Sequence, residues 1–119
     1  MSIGARAVQG VSVLDLDGKI TLGESSTEVR DTVRELVESG HKQIVLNMAQ
    51  VVFMDSSGIA SLIDAYLQLR QYGGQLKLLN PSQKLNERLA MTKVLTVIES
   101  FKDEEQAVES FRKPKKKAP

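Results

Sequence analysis

The sequence predicts an α/β fold in which a mixed sheet of about five strands is packed with about four helices. Two observations carry this prediction. Apolar stretches of strand length alternate with longer segments whose apolar residues recur at helical spacing. Strands that alternate with helices of about 10–15 residues usually pair in parallel through right-handed crossovers, so the central strands should be parallel. At 119 residues, the chain has the length of one domain.

The first part of the chain predicts a β-meander. A short strand is expected at residues 6–9, joined at Gly10 to an apolar strand over residues 11–16. Asp17-Gly18 is a strong turn signal, after which residues 19–22 resume an extended segment. A hairpin turn is therefore predicted at Asp17-Gly18.

The next segment predicts an amphipathic helix. Ser25 with Glu28 three residues later has the pattern of a capping box. Apolar residues behind it fall on one helical face: Val29, Val33, Leu36 and Val37. Gly40 is the residue type expected just after a helix end.

A buried strand, a helix and a second strand are predicted next. Residues 43–48 contain three consecutive apolar residues, as in a strand covered on both faces. Residues 51–54 are apolar and lead into Asp55-Ser56-Ser57-Gly58, where a helix should begin near Ser57 and end at Gly73-Gly74. Its inner stripe is predicted to contain Ile59, Leu62, Ile63, Tyr66 and either Leu69 or Arg70. Residues 75–79 form the next strand candidate.

The C-terminal part predicts two further helices and a short strand. Pro81 and Ser82 should open a helix whose inner side contains Leu85, Leu89 and Met91. Residues 96–99 are a strand candidate. Acidic residues 103–105 suit the positive end of a last helix, whose buried face is expected to contain Ala107, Val108 and Phe111.

The charge is unevenly distributed along the chain. The net charge is +1, but five of the last eight residues are basic: Arg112, Lys113, Lys115, Lys116 and Lys117. Residues 1–111 then carry 11 basic and 15 acidic side chains, a net charge of −4. This acidic body argues against direct DNA binding. Residues 1–111 are predicted to be the folded domain, and residues 112–119 a basic disordered tail.

The residue inventory disfavours catalysis. The chain has no cysteine and a single histidine, His41, which follows the helix-ending Gly40 and suits a capping or surface role. Nucleophilic triads and transition-metal sites therefore lack their usual residues, and we expect neither enzymatic activity nor a cofactor. No apolar run approaches the ~20 residues of a membrane span, which predicts a cytoplasmic protein without membrane insertion.

Asp55-Ser56-Ser57-Gly58 is the most informative segment. One of its side chains can cap the helix, but capping accounts for one or two polar residues and not for three in a row. An exposed serine at a helix N-terminus is also suited to phosphorylation, because the helix dipole and free N–H groups tolerate a phosphate. Gly58 is expected to keep the backbone accessible on that side.

Three segments carry a resemblance to a known family: residues 44–47 (IVLN), 53–59 (FMDSSGI) and 73–78 (GGQLKL). They resemble the STAS domain of bacterial anti-sigma factor antagonists. The resemblance implies that the first serine, Ser56, is phosphorylated by an anti-sigma factor that is also a GHKL-type serine kinase, with Ser57 as second choice. It further implies that the unphosphorylated form binds the anti-sigma factor and that a PP2C-type phosphatase removes the phosphate. The expected partner-binding residues are Met54, Asp55, Ser56, Ser57, Gly58, Ile59, Ala60 and Thr21.

One position departs from the family pattern, and one alternative function stays open. Family members often have Asp where this chain has Thr21, so less negative charge is expected beside Ser56. The alternative is a STAS protein that is not phosphorylated. It would be a scaffold of a stress-signalling assembly or a cytoplasmic STAS subunit of a lipid ABC transporter.

Overall fold

The computed structural model describes residues 1–112 and contains one five-stranded sheet with strand order β1-β2-β3-β4-β5. The strands are β1 (Ser2–Val8), β2 (Val11–Ile20), β3 (Gln43–Met54), β4 (Gln75–Leu79) and β5 (Ser100–Phe101). β1 and β2 pair antiparallel, and the other neighbours pair in parallel. The predicted basic tail lies outside the described residues except for Arg112, whose guanidinium donates to the Gln9 carbonyl (2.9 Å).

Within residues 1–112, four α-helices pack on this sheet, which confirms the predicted fold class. They are α1 (Glu24–Glu38), α2 (Ser56–Gln71), α3 (Gln83–Met91) and α4 (Glu104–Glu109). The larger core cluster joins one face of the sheet to α1, α2 and α3 through residues such as Val33, Leu62 and Leu89. The smaller cluster joins the other face to α4 through Ala107 and Val108, as predicted for the last helix.

The first hairpin turn lies at Gln9-Gly10, and the turn predicted at Asp17-Gly18 is wrong. Gln9 and Gly10 both have positive φ (51° and 84°), as a two-residue hairpin turn of type I′ requires. Gly18 also has a positive φ (114°), but it lies inside β2, where the pairing register with β3 shifts between Gly18 and Lys19. The glycine marks an irregularity within one long strand, not its end.

Helix α1 begins without the predicted capping box. Its N-cap is Gly23, which makes no side-chain cap, and Ser25 lies inside the first turn. The Ser25 hydroxyl accepts from the Thr21 N–H (2.8 Å) and donates to the Thr21 carbonyl (3.1 Å). The predicted end is confirmed, since Gly40 has φ 89° just after the helix. The His41 N–H closes the last turn by donating to the Leu36 carbonyl (2.8 Å).

Two other strand boundaries and two predicted core residues differ from the predictions. β3 extends beyond the predicted residues 43–48 to Met54, and the apolar run 51–54 leads directly into Asp55, the N-cap of α2. Residues 96–99 are not a strand, because Val94–Thr96 forms a 3₁₀ turn and β5 follows at Ser100–Phe101. Met91, at the end of α3, is 84% exposed, and Ile63 points outward from α2. The predicted Ile59, Leu62 and Leu69 do lie on the inner face of α2, where Ala65 joins them.

Candidate functional site

The Asp55-Ser56-Ser57-Gly58 segment lies where the longest parallel strands end together. β2 and β3 pair up to Ile20 and Met54, their last residues. The carboxyl ends of parallel strands meet at one edge of a sheet, and ligand-binding loops of α/β folds gather there. The loop from β2 to α1 and the start of α2 are therefore neighbours, although more than 30 residues separate them in sequence.

Asp55 connects these two segments. Its Oδ1 accepts from the Gly58 N–H (2.9 Å), which caps α2, and its Oδ2 accepts from the Leu22 N–H (3.0 Å) in the loop before α1. The hydrogen bonds from Leu22 and Gly58 lower the pKa of the Asp55 carboxyl below its ordinary value, because both favour the charged form. Asp55 is therefore an ionised carboxylate at neutral pH and holds the shape of the site.

Gly58 is buried in the first turn of α2, against the end of β2. A Cβ at this position would clash with the Ile20 carbonyl oxygen and lie 3.0 Å from its carbonyl carbon. The Asp55 N–H donates to the same Ile20 carbonyl (3.3 Å). Gly58 thus permits the close approach of helix and strand, and the expectation that it keeps backbone accessible is wrong.

The two serines differ in exposure. Ser56 is the first residue of α2 and is exposed, whereas Ser57 is partly buried. The first backbone N–H groups of the helix point toward this end, and the helix dipole makes it electropositive. The arrangement presents the Ser56 hydroxyl to solvent at a helix N-terminus, next to the carboxylate of Asp55.

Three of the predicted partner-binding residues are buried. Met54 is 1% exposed, because β3 extends to this residue and its side chain enters the core. Ile59 is 7% exposed on the inner face of α2, and Gly58 is covered by β2. The side chains of Met54 and Ile59 are therefore buried in this structure, and their assignment as contact residues stays a prediction. Ser56 and Ala60 are exposed, while Asp55, Ser57 and Thr21 are partly exposed.

The sequence did not indicate two exposed apolar residues around the site. Leu22 is 79% exposed, and its backbone N–H is bound to Asp55. Phe53 is 41% exposed at the end of β3, where the Arg88 guanidinium of α3 lies 5.6 Å from the centre of its ring. Single apolar residues in a loop or at a strand end form no periodic pattern, and the hydrogen bond that links Leu22 to Asp55 appears only in the fold.

Thr21 occupies the position where a carboxylate was expected in the family. It is partly buried, and its backbone N–H and carbonyl are both bound to the Ser25 hydroxyl. The carboxylate that contacts this loop is Asp55. Thr21 therefore fixes the loop through its backbone, without adding negative charge.

Two further findings concern metal binding and membrane-spanning helices. Across residues 1–112, no three His, Asp or Glu side chains are grouped in a way that could hold a metal ion. In the same part of the chain, none of the helices combines the length and the apolar character needed to span a bilayer.

Solved structures of similar fold include anti-sigma factor antagonists and a domain of a transporter. A Thermotoga maritima protein described as a candidate anti-sigma factor antagonist superposes with a TM-score of 0.86 at 20% identity, covering 93% of this chain and 95% of that one. The anti-sigma factor antagonist SpoIIAA in its unphosphorylated form gives 0.70 at 25% identity, covering 95% and 100%. The murine anion transporter Slc26a9 gives 0.76 at 18% identity, covering 90% of this chain but only 18% of the transporter.

A family model gives the assignment directly. The model of the STAS domain matches residues 2–107, which include all five strands and most of α4. The matched region also contains the Asp55-Ser56-Ser57-Gly58 segment. The chain therefore belongs to the STAS domain family.

Proposed function

We propose that this chain is a cytoplasmic anti-sigma factor antagonist whose binding is controlled by phosphorylation of Ser56. The observation that carries the proposal is the exposed hydroxyl of Ser56 at the first position of α2, beside the loop that Asp55 holds in place. The likeness to SpoIIAA supports it, since that protein is an anti-sigma factor antagonist with an unphosphorylated form. The partner would be an anti-sigma factor with GHKL-type serine kinase activity.

Ser56 is preferred over Ser57 on exposure. A kinase must bring the γ-phosphorus of ATP in line with the serine oxygen, which requires an accessible hydroxyl. Ser56 is exposed and Ser57 is partly buried. A phosphate on Ser56 would carry roughly −1.5 to −2 charges at the electropositive end of α2, so the fold should tolerate it. A PP2C-type phosphatase would restore the free hydroxyl.

The binding surface would consist of exposed residues around Ser56 and would not include the buried Met54, Gly58 and Ile59. Leu22 on one side and Ala60 on the next turn of α2 are exposed, and Asp55 holds the backbone between them. Leu22 and Ala60 would make apolar contact, with the serine hydroxyl inside the interface. Phosphorylation would then place an unpaired dianion in a contact that excludes water, which typically costs about 2–5 kcal/mol of binding free energy.

The first test locates the modification. The protein is purified from its own cells and examined by intact mass and peptide mapping, with phosphatase-treated protein and the Ser56→Ala and Ser57→Ala variants as controls. We expect one phosphate, mapped to Ser56 and absent from Ser56→Ala. Phosphate on Ser57 alone would transfer the role to that residue. Unmodified protein under several growth conditions would contradict the switch and favour the scaffold or transporter alternative.

The second test measures the switch itself. Partners retained by immobilised Ser56→Ala protein are identified, and the affinity of the kinase partner is compared among wild type, Ser56→Ala and Ser56→Glu. We expect Ser56→Ala to bind like the unphosphorylated protein and Ser56→Glu to bind at least ~30-fold more weakly, the equivalent of about 2 kcal/mol. Ser39→Glu adds the same charge at the distant end of α1 and should leave the affinity unchanged. Equal affinity for all forms would refute the proposal.

A further inference from the structure

The outer edge of β1 is open in the part of the chain that the structure describes. β1 is the first strand of the sheet, pairs only with β2, and has five exposed residues among its seven. The opposite side of its backbone therefore presents unpaired N–H and C=O groups. Such an edge can accept another strand.

The hairpin geometry identifies the unpaired groups. Val8 and Val11 flank the two-residue turn, so they form a hydrogen-bonded pair, and such pairs alternate along an antiparallel ladder. Arg6, Gly4 and Ser2 therefore direct their backbone groups toward β2. The intervening residues direct theirs outward: Ile3, Ala5 and Ala7.

β1 lacks the features that usually protect an edge strand. It contains no proline and no lysine, and its pairing with β2 has no register shift. Its one charged residue, Arg6, is held by the carboxylates of Asp15 and Glu104, so its guanidinium is not free to repel an incoming strand. Pro, Lys and bulges are the common means by which native proteins prevent pairing at an edge, and this strand uses none of them.

Nothing within one copy of the chain requires a glycine at position 4. Its φ is not positive, and a Cβ built on it meets no atom within 4 Å. Glycine weakens a strand interior, and where the strand itself does not need it, it often marks a place where another backbone approaches closely. Gly4 lies in the middle of the open edge.

We propose that β1 pairs antiparallel with β1 of a second copy of this chain, about a two-fold axis through Ala5. This register opposes Ala5 to Ala5 and Ile3 to Ala7, so all three outward-facing residues of each copy are paired. It also places Arg6 opposite Gly4 of the second copy, where the absence of a side chain on Gly4 leaves room for the aliphatic carbons of the Arg6 side chain. The result is one continuous ten-stranded sheet, since each copy contributes five strands.

The two neighbouring registers are less favourable. A two-fold axis through Gly4 would leave Ala7 without a partner inside β1. An axis through Arg6 would set Ile3 opposite Gln9 of the second copy, which lies outside β1 in the hairpin turn. Ala5 is therefore the centre that pairs all three outward-directed residues within β1.

The pairing would be weak and would leave the proposed switch free. One strand edge buries less than the ~1,200 Å² typical of stable interfaces, so association should depend on protein concentration. Ser56 follows β3, and β2 stands between β3 and the pairing edge. The inference is thus independent of the proposed function, and either can fail without the other.

The test uses single cysteines, because the chain has none of its own. In the proposed register the Ala5 Cα atoms of the two copies are about 5.5 Å apart, within disulfide range, whereas the Ala7 Cα atoms are roughly 14 Å apart. Under mild oxidation we expect Ala5→Cys to form a disulfide dimer at least ~10-fold faster than Ala7→Cys, which is also exposed. An equimolar mixture of Ile3→Cys and Ala7→Cys should form the mixed dimer.

A second variant separates association from folding. In Gly4→Val the new side chain meets no atom of its own copy within 4 Å of its Cβ, and valine forms strands better than glycine. The thermal stability of this variant in dilute solution should therefore be unchanged or higher. The same valine would meet Arg6 of the second copy, so sedimentation equilibrium should show weaker dimerisation than for wild type. Equal cross-linking of Ala5→Cys and Ala7→Cys, or a wild type that stays monomeric up to millimolar concentration, would overturn the proposal.

Discussion

The α-carbon of Gly58 lies against the backbone carbonyl of Ile20, so that a Cβ on Gly58 would be only 3.0 Å from the carbonyl carbon. This contact joins the end of β2 to the first turn of α2. Asp55 secures the same junction by donating its backbone N–H to Ile20 (3.3 Å) and accepting from Gly58 through its side chain (2.9 Å). The exposed Ser56 is therefore held at the end of β2, whose last residue, Ile20, is fully buried.

Gly58→Ala should destabilise the protein, although alanine is the better helix former. The new methyl would force α2 away from β2, and overpacking of this kind costs typically about 1–3 kcal/mol. Urea unfolding measures the change. Gly4→Ala is the matched control, because its methyl meets no atom within 4 Å, and it should be neutral or slightly stabilising in dilute solution. An unchanged midpoint for Gly58→Ala would contradict the packing described.

Asp55→Asn should release the loop before α1 and keep the cap of α2. Asparagine caps helices well, so its amide oxygen can still accept from Gly58, but its NH₂ group cannot accept from Leu22. Hydrogen exchange should therefore become faster at the Leu22 amide and change little at Gly58. Asp103→Asn is the control, since Asp103 caps α4 with a single bond to Gln106 (3.0 Å). Unchanged exchange at Leu22 would refute the tether.

Ser56→Glu should not weaken the fold, even though it is proposed to weaken partner binding. A negative charge at the N-terminus of a helix is worth about 0.3–1 kcal/mol at low salt, and the neighbouring Asp55 carboxylate opposes part of this gain. Urea unfolding at low salt should show a small rise in stability or none, and near 1 M salt should remove any rise. Ser39→Glu, at the C-cap of α1, should have the opposite sign. Unfolding of Ser56→Glu would mean that its binding loss reports misfolding.

Local signals allowed several element boundaries to be predicted. Gly40 was expected just after α1 and has the positive φ that ends it there. Ser82 was expected to open α3, and its hydroxyl accepts from the Leu85 N–H (3.2 Å). Both features depend on residues within one helical turn. The hairpin turn predicted at Asp17-Gly18 is wrong because nearby residues alone could not decide it. A strand irregularity and a hairpin turn both use a glycine with positive φ, and only the pairing of β2 with β3 distinguishes them.

The sequence motif located the candidate site, but it did not identify which residues are exposed around the site. The resemblance pointed to Asp55-Ser56-Ser57-Gly58, and these residues do lie together at the start of α2. It could not show that Met54 points into the core, because this depends on β3 continuing to that residue. It could not show Leu22 either, since the hydrogen bond to Asp55 links residues 33 positions apart. Contacts between residues so far apart in sequence arise from the topology of the sheet and leave no pattern in the local sequence.

Stability should fall in acid through the ion pairs that hold α4 on the sheet. Arg6 donates to Asp15 (2.7 Å) and to Glu104, and these bonds lower the pKa values of both carboxyls below their ordinary 3.8 and 4.5. A lowered pKa in the folded state contributes stability above the ordinary value, and this contribution is lost as the pH falls below it.

Arg6→Gln tests this contribution through its dependence on pH. In urea unfolding of dilute protein, wild type should exceed Arg6→Gln by up to about 1 kcal/mol at pH 7, because all three side chains are roughly 40% exposed and screened by water. The two stabilities should begin to converge as the pH falls below 4.5 and should continue to converge below 3.8, since both folded-state pKa values lie below these ordinary values. Arg34→Gln, which breaks a pair with Asp31 inside α1, should have a smaller effect. A gap for Arg6→Gln that stays constant down to pH 3 would mean that Arg6 acts by packing and not by charge.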